Sequence, residues 1–313
     1  MAAVIALLLA LLGLGVSAGG SSETGSGPEP EPAAASDPVE RLTAREKAAL
    51  VVVSGLPAPD GVGGVLVQRT TRGLPRPPGA LVFVDQEGGE VRAFGGLPPE
   101  LPAGAYGTEA EARAAGRAAG SALADAGVDV DLAPVLDAAT GPLGWRHFLR
   151  PELALAFAGG LRDGGAAPCV KHFPGLGSTR ISTDESPHVR GRLLPRELDG
   201  FRAAVRAGVP CVMVGHAFYR RLETRRASFS PRAYRLLRSL GFEGVAITDS
   251  VSVFGSPYAV SSAVKAIRAG ADLVLYTNGG DAARAIRRLT PLARAGLLDE
   301  SVRRVLDLRR DLR

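Results

Sequence analysis

The chain predicts an α/β protein built as a single (β/α)₈ barrel, and three observations carry that prediction. From Val39 onward, short β-branched runs alternate with Ala-, Leu- and Arg-rich segments of helical period, the pattern of βα units around a parallel sheet. The runs number eight. Four of them finish in charged or imidazole side chains, at Asp85, Lys171-His172, His216 and Asp249, and the C-terminal strand ends are where a barrel converges its loops on one site.

The candidate strands, in order, are residues 49–53, 64–68, 80–85, 128–136, 168–172, 210–216, 244–249 and 272–276. Between them, helical periodicity predicts helices over 109–126, 151–160, 198–207, 231–240, 261–269 and 281–295. The first two connections are too short or irregular for full helices, so degenerate first βα units are expected. Residues 39–313 therefore form one barrel of about 270 residues, a usual size for that fold. Hydrophobic residues at 46% with aromatics at 5% describe a core of Ala, Val and Leu.

Ahead of the barrel, residues 1–18 form an apolar run ending in Val16-Ser17-Ala18, a small-x-small pattern of the kind that precedes signal-peptidase cleavage. Residues 19–38 are rich in Gly, Ser, Pro and Glu and read as a flexible linker. A secreted or extracytoplasmic protein is expected, retained at the cell surface if the segment stays uncleaved, and monomeric. Cys169 and Cys211 each open an apolar run; buried free thiols are the simpler expectation, although export would permit a disulfide. The net charge of +5 comes from arginine, the only lysines being Lys47, Lys171 and Lys265. The basic stretch 284–313 carries Asp299, Glu300, Asp307 and Asp311 among its arginines, which describes a solvated helical face, and no nucleic-acid partner is expected. With no cysteine–histidine cluster, no His-Glu-x-x-His and no phosphate-binding glycine loop, neither metal nor organic cofactor is expected.

Three runs carry the chemistry: Val84-Asp85-Gln86-Glu87-Gly88-Gly89, Lys171-His172-Phe173-Pro174-Gly175-Leu176-Gly177 and Ile247-Thr248-Asp249-Ser250. With Ala133-Pro134-Val135-Leu136-Asp137 and Met213-Val214-Gly215-His216 they occur in the order found in glycoside hydrolase family 3, and the chain resembles that family's single-domain β-N-acetylhexosaminidase branch. The resemblance implies a retaining glycosidase acting on a carbohydrate substrate, with Asp249 as the nucleophile. It further implies that Asp85, Lys171 and His172 contact the sugar, that Arg146 binds substrate and that His216 lines the pocket.

A retaining enzyme needs a second group to protonate the leaving oxygen. In the branch resembled, an Asp-Ser-His loop follows the Lys-His-Phe-Pro-Gly run, and here that loop departs: Leu176 replaces a histidine, and the loop reads Ser178-Thr179-Arg180-Ile181-Ser182-Thr183-Asp184-Glu185-Ser186-Pro187-His188. Counted without a gap, Ser182 and Asp184 fall where the aspartate and histidine belong. Three assignments stand. His188 is the acid/base with Asp184 or Glu185 as its partner, Asp184 itself is the acid if a dry pocket raises its pKa, or none of them acts. The first two make the chain an exo-acting glycosidase on terminal β-N-acetylglucosamine-type residues of cell-wall-derived or related glycosides; a phosphorylase is chemically close. The third makes it a catalytically silent glycan- or cell-wall-binding protein on the same fold.

Overall fold

The computed structural model describes residues 37–312, Pro187 excepted. The apolar segment 1–18 and nearly all of the linker 19–38 lie outside the described residues.

Eight parallel strands form the barrel: β1 (Val52–Gly55), β2 (Gly64–Leu66), β3 (Leu81–Val84), β4 (Val130–Asp131), β5 (Ala167–Phe173), β6 (Cys211–Val214), β7 (Val245–Thr248) and β8 (Val274–Leu275). They pair in the order β7-β6-β5-β4-β3-β2-β1-β8. The parallel bridge Ile247↔Leu273, with Thr248 N–H donating to Leu273 O at 3.0 Å, joins the two ends. As expected, no helix follows β1 or β2 among the described residues. From β3 onward each crossover is helical: α2 (Glu109–Asp125), α3 (Pro151–Gly164), α4 (Pro195–Arg206), α5 (Pro231–Ser239) and α6 (Tyr258–Ala269), with α7 (Gly279–Arg294) after β8.

Most strands are shorter than expected, the fourth most of all at Val130–Asp131, and the first is displaced. Thr43 and Glu46 form a capping box that starts helix α1 (Ala44–Leu50), so residues expected to open the first strand are helical and β1 begins at Val52. Between α2 and α3 the backbones come close because each helix presents small residues. A Cβ at Gly116 would lie 2.2 Å from Phe157 O, and one at Gly160 2.2 Å from Arg113 O. Helix α8 (Asp299–Asp311) closes the N-terminal end of the barrel, because its Val305 and Leu308 belong to the same buried cluster as the barrel-lining Val53, Phe83, Met213 and Ile247.

Side chains of a strand alternate between faces, and this parity builds the site. Leu81 and Phe83 on β3, Ala167 and Cys169 on β5, and Val245 and Ile247 on β7 all belong to the barrel-lining cluster. The next inward positions are Asp85, Lys171 and Asp249. Three polar side chains thus top three apolar ladders on one end of the barrel.

The register pairs Cys169 directly with Cys211 across β5 and β6, and the two are joined in a disulfide with a Cα–Cα separation of 4.4 Å. The expectation of free thiols is therefore corrected. Cysteines at paired positions of adjacent strands, both facing into the barrel, are brought within bonding distance. Titration of the unfolded, unreduced protein with a thiol reagent is expected to find no free thiol and, after reduction, two. The Cys169→Ala/Cys211→Ala variant is expected to lose about 2–4 kcal/mol of stability in denaturant melts.

Candidate active site

At the C-terminal end of the barrel, a cavity of about 280 Å³ is lined by Asp85, Arg146, Lys171, His172, Asp184 and Asp249, together with Glu87 and Ser250. Six of the side chains expected from the sequence are thus brought together; His188 and His216 are not among them.

Glu87 lies at the centre of the charge array. It sits on the short hairpin Gln86–Gly88/Val91–Arg92 that follows β3, held by the Gln86 amide, which donates to the carbonyls of Phe94, Leu97 and Pro98 at 3.1 Å each. Arg146 grips Glu87 with two bonds, Nε to Oε2 at 2.7 Å and Nη2 to Oε1 at 2.8 Å. Lys171 Nζ reaches Glu87 Oε1 at 2.7 Å and Asp85 Oδ1 at 2.6 Å. Burial works against ionisation of Glu87, but the ammonium of Lys171 and the guanidinium of Arg146 outweigh it and hold the carboxyl at about 2. Burial likewise opposes the charge on Lys171, and Asp85 and Glu87 overcome it, raising the ammonium above its ordinary value. Glu87 was not among the residues singled out from the sequence. The signal was its position two residues after Asp85, on the motif whose lysine partner was already in view.

Beneath this array, Asp131 at the end of β4 is buried, accepts from Gln86 N–H at 2.9 Å and is pushed up by burial to about 8. His172 should face outward by strict alternation, yet it lines the pocket because the register of β5 against β6 shifts between Val170 and Phe173. Its Nδ1 pairs with Asp137 Oδ2 at 2.7 Å; burial lowers the imidazole, and Asp137 more than offsets this, so the net shift is upward. Asp137 also accepts from the backbone N–H groups of His172 and Leu176.

Asp249 is 9% exposed at the pocket floor. Burial would raise its carboxyl, but His216, His172, the Ser250 N–H and Lys171 together hold it below its ordinary value. Ser250 N–H donates to Oδ1 at 2.7 Å, so one oxygen is oriented and Oδ2 is the one available to a substrate.

His216 does not line the pocket, which corrects the expectation of sugar contact. On β6 the inward parity runs Cys211, Met213, Gly215, so His216 turns the other way. It packs against Phe254 and Phe229, at ring separations of 4.6 and 6.1 Å. Nε2 lies 3.0 Å from Ser250 O, which can only accept, so Nε2 carries the proton and Nδ1 accepts from Ser228 Oγ at 2.7 Å. Burial keeps the ring below its ordinary value. His216 acts on the site through Ser250, the residue that orients Asp249.

His188 is also displaced from its expected place: it is exposed and lines a different cavity with Phe218 and Tyr258. The loop delivers Asp184 instead. Asp184 Oδ2 lies 4.0 Å from Arg146 Nη1 and accepts from Ser182 Oγ at 3.3 Å. Ser182 and Asp184, the two residues marked by the ungapped count from Lys171, are hydrogen-bonded to each other.

The loop is anchored at its start by Glu197, in the first turn of α4, whose Oε1 accepts from Gly177 N–H at 2.6 Å and Ala138 N–H at 3.1 Å. A Cβ at Gly175 or Gly177 would fall 2.3 or 2.7 Å from that carboxyl, so the two glycines of the Pro-Gly-Leu-Gly run make room for it. Sequence reasoning missed Glu197, which lies outside every motif.

The profile of the Glycosyl hydrolase family 3 N terminal domain matches residues 66–308. A β-hexosaminidase of Methylococcus capsulatus is 34% identical over 233 residues, covering 67% of this chain and 70% of that protein. One from Neisseria meningitidis serogroup C is 34% identical over 234 residues, covering 66% of this chain and 65% of the relative. The chain thus spans about two thirds of the length of the curated relatives it matches. Among solved structures, a family member from Mycobacterium smegmatis superposes with a TM-score of 0.76 at 29% identity, covering 86% of this chain and 98% of that one. A β-N-acetylglucosaminidase from Paenibacillus sp. gives 0.75 at 27% identity, covering 87% and 63%. Fold and site define a barrel with a carboxylate-lined pocket at its C-terminal end. The chain belongs to glycosyl hydrolase family 3.

Burial pushes the Glu197 carboxyl up from 4.5 to about 7. A raised carboxyl means that folding takes up a proton between those values, so its stabilising effect is complete below about 4.5 and is lost as pH rises through about 7. Over this window the Glu197 contribution to stability in thermal melts is expected to fall by about 3 kcal/mol. Glu197→Gln should make that dependence shallower, with the share from the raised Asp131 remaining; an unchanged slope in the variant would contradict the assignment.

Proposed function

We propose that the chain is a retaining exo-glycosidase that removes terminal β-N-acetylglucosamine-type residues through a covalent glycosyl-enzyme, with Asp249 as nucleophile and Asp184 as acid/base. The observation that carries this reading is the sharing of one sugar-sized cavity by a buried carboxylate held ionised and a second carboxyl at its rim. The names of the relatives, β-hexosaminidase and β-N-acetylglucosaminidase, support the substrate class.

In this reading, Asp85, Lys171 and Arg146 meet the sugar hydroxyls with charges already in place before substrate arrives. Asp249 Oδ2 attacks the anomeric carbon while Asp184 gives its proton to the glycosidic oxygen, and the bond from carbon to leaving oxygen breaks. Asp184, now ionised, takes a proton from water, whose oxygen attacks the same carbon and releases Asp249. Ser182 Oγ donates to Asp184 and orients it, as an aspartate would orient a histidine in the branch resembled. His188 takes no part in proton transfer. The cross-strand disulfide supports an oxidising compartment and hence the export expected from the apolar start.

Incubation with a 5-fluoro-N-acetylglucosaminyl fluoride followed by peptide mass spectrometry is expected to place the label on Asp249, with no label in Asp249→Asn. Asp184→Asn should lower kcat by about 10²–10⁴-fold on substrates with poor leaving groups. His188→Ala should stay near wild type. Labelling of another carboxylate, or a collapse of activity in His188→Ala, would contradict these roles.

A further inference from the structure

A second cavity, of about 580 Å³, lies on the other side of the aromatic group that packs on His216. Its walls are Phe218, Tyr258, Arg225, Arg226, Lys265 and Arg268, with Phe229 and His188 beside them. No Asp or Glu lines it, although acids and bases are nearly balanced in the chain, at 32 against 37. Arg226 is buried with its guanidinium stacked between the rings of Phe218 and Phe254, at 4.6 and 4.5 Å, which fixes its plane. Lys265 Nζ stands 4.3 Å above the ring of Tyr258. Arg225 has Glu223 at 3.6 Å, whereas neither Lys265 nor Arg268 has a carboxylate within ion-pairing distance among the described residues.

Lys265 and Arg268, side by side on one concavity with no carboxylate in reach among the described residues, repel each other, and a bound counter-charge relieves them. Arginine forks match the planar oxygens of carboxylate and phosphate groups, and the aromatic walls hold the cations by their faces while leaving donors for a ligand. We propose that this cavity is a binding site for a compact polyanion, a small molecule carrying at least two carboxylate or phosphate groups, separate from the sugar pocket. Arg226 and Phe218 form its rigid floor, and Arg225, Lys265 and Arg268 close on the charges from the solvent side. The proposal stands on this cavity alone and does not depend on the glycosidase reading.

Isothermal titration of the full chain with pyrophosphate and, separately, citrate, at an ionic strength held constant with sodium chloride, tests it. Saturable one-to-one binding of at least one probe is expected, and the tighter of the two assigns the phosphate or the carboxylate class. Lys265→Ala/Arg268→Ala, which alters two side chains on α6, should weaken that binding about tenfold or more. Asp249→Asn should bind as the wild type does. No saturable binding of either probe, equal binding by the double variant, or loss of binding in Asp249→Asn would overturn the proposal.

Discussion

The buried carboxylate of Glu87, clasped by Lys171 and Arg146, is the interaction around which the site is organised. Taking these charges out of water costs several kcal/mol per ion, and the cost is offset only by short, well-directed bonds. Glu87 provides them: both of its oxygens are bonded, one of them to both cations. The cluster ties together the hairpin after β3, the end of β5 and the loop carrying Arg146. Removing Lys171 or Arg146 would take one short ion pair from the buried Glu87 carboxylate, and removing Glu87 would take one from each cation. The cations therefore stay where they are while Asp85, whose side chain is 40% exposed, offers its remaining oxygen to a ligand.

The two carboxylates assigned to bond cleavage differ in setting. Asp249 is nearly inaccessible, ionised and oriented by a backbone N–H, which suits a group that must collide with one carbon in one direction. Asp184 is 59% exposed at the rim. A leaving group departs toward solvent, and its oxygen lies on the outer side of the sugar, so a proton donor at the mouth is in the right quarter. His216 supports the inner partner from outside the pocket, through Ser250 and without touching the cavity. Its ring, held between Ser228 and Ser250, is a positioning element.

The barrel was legible from strand count and from polar residues at strand ends, and Asp85, Lys171 and Asp249 converge because each continues an inward-facing ladder of period two. The same parity would have excluded His216, since Gly215 occupies the inward position on β6; reading the residue type without its face led to the wrong assignment. His172 shows the opposite failure, because a register shift in β5 places it where simple alternation would not. The disulfide depends on which strands neighbour each other and in what register, and composition around each cysteine carries neither. Glu197 acts across sequence-distant loops through backbone donors, which leave no side-chain signature. A gap and no gap both offered a titratable residue for the acid/base, and the path of the loop brings Asp184, and not His188, to the pocket.

The central claim, that Asp249 and Asp184 work as nucleophile and proton carrier across one sugar, is tested most directly by the product that Asp184→Ala forms in azide from an activated aryl glycoside. With the acid/base gone but the nucleophile intact, the glycosyl-enzyme should form and be intercepted by azide, which needs no proton removed. The account predicts a rise in turnover with azide concentration and a glycosyl azide of β configuration, the anomer of the starting glycoside. No rescue, an α-azide, or rescue seen in His188→Ala and not in Asp184→Ala would contradict it.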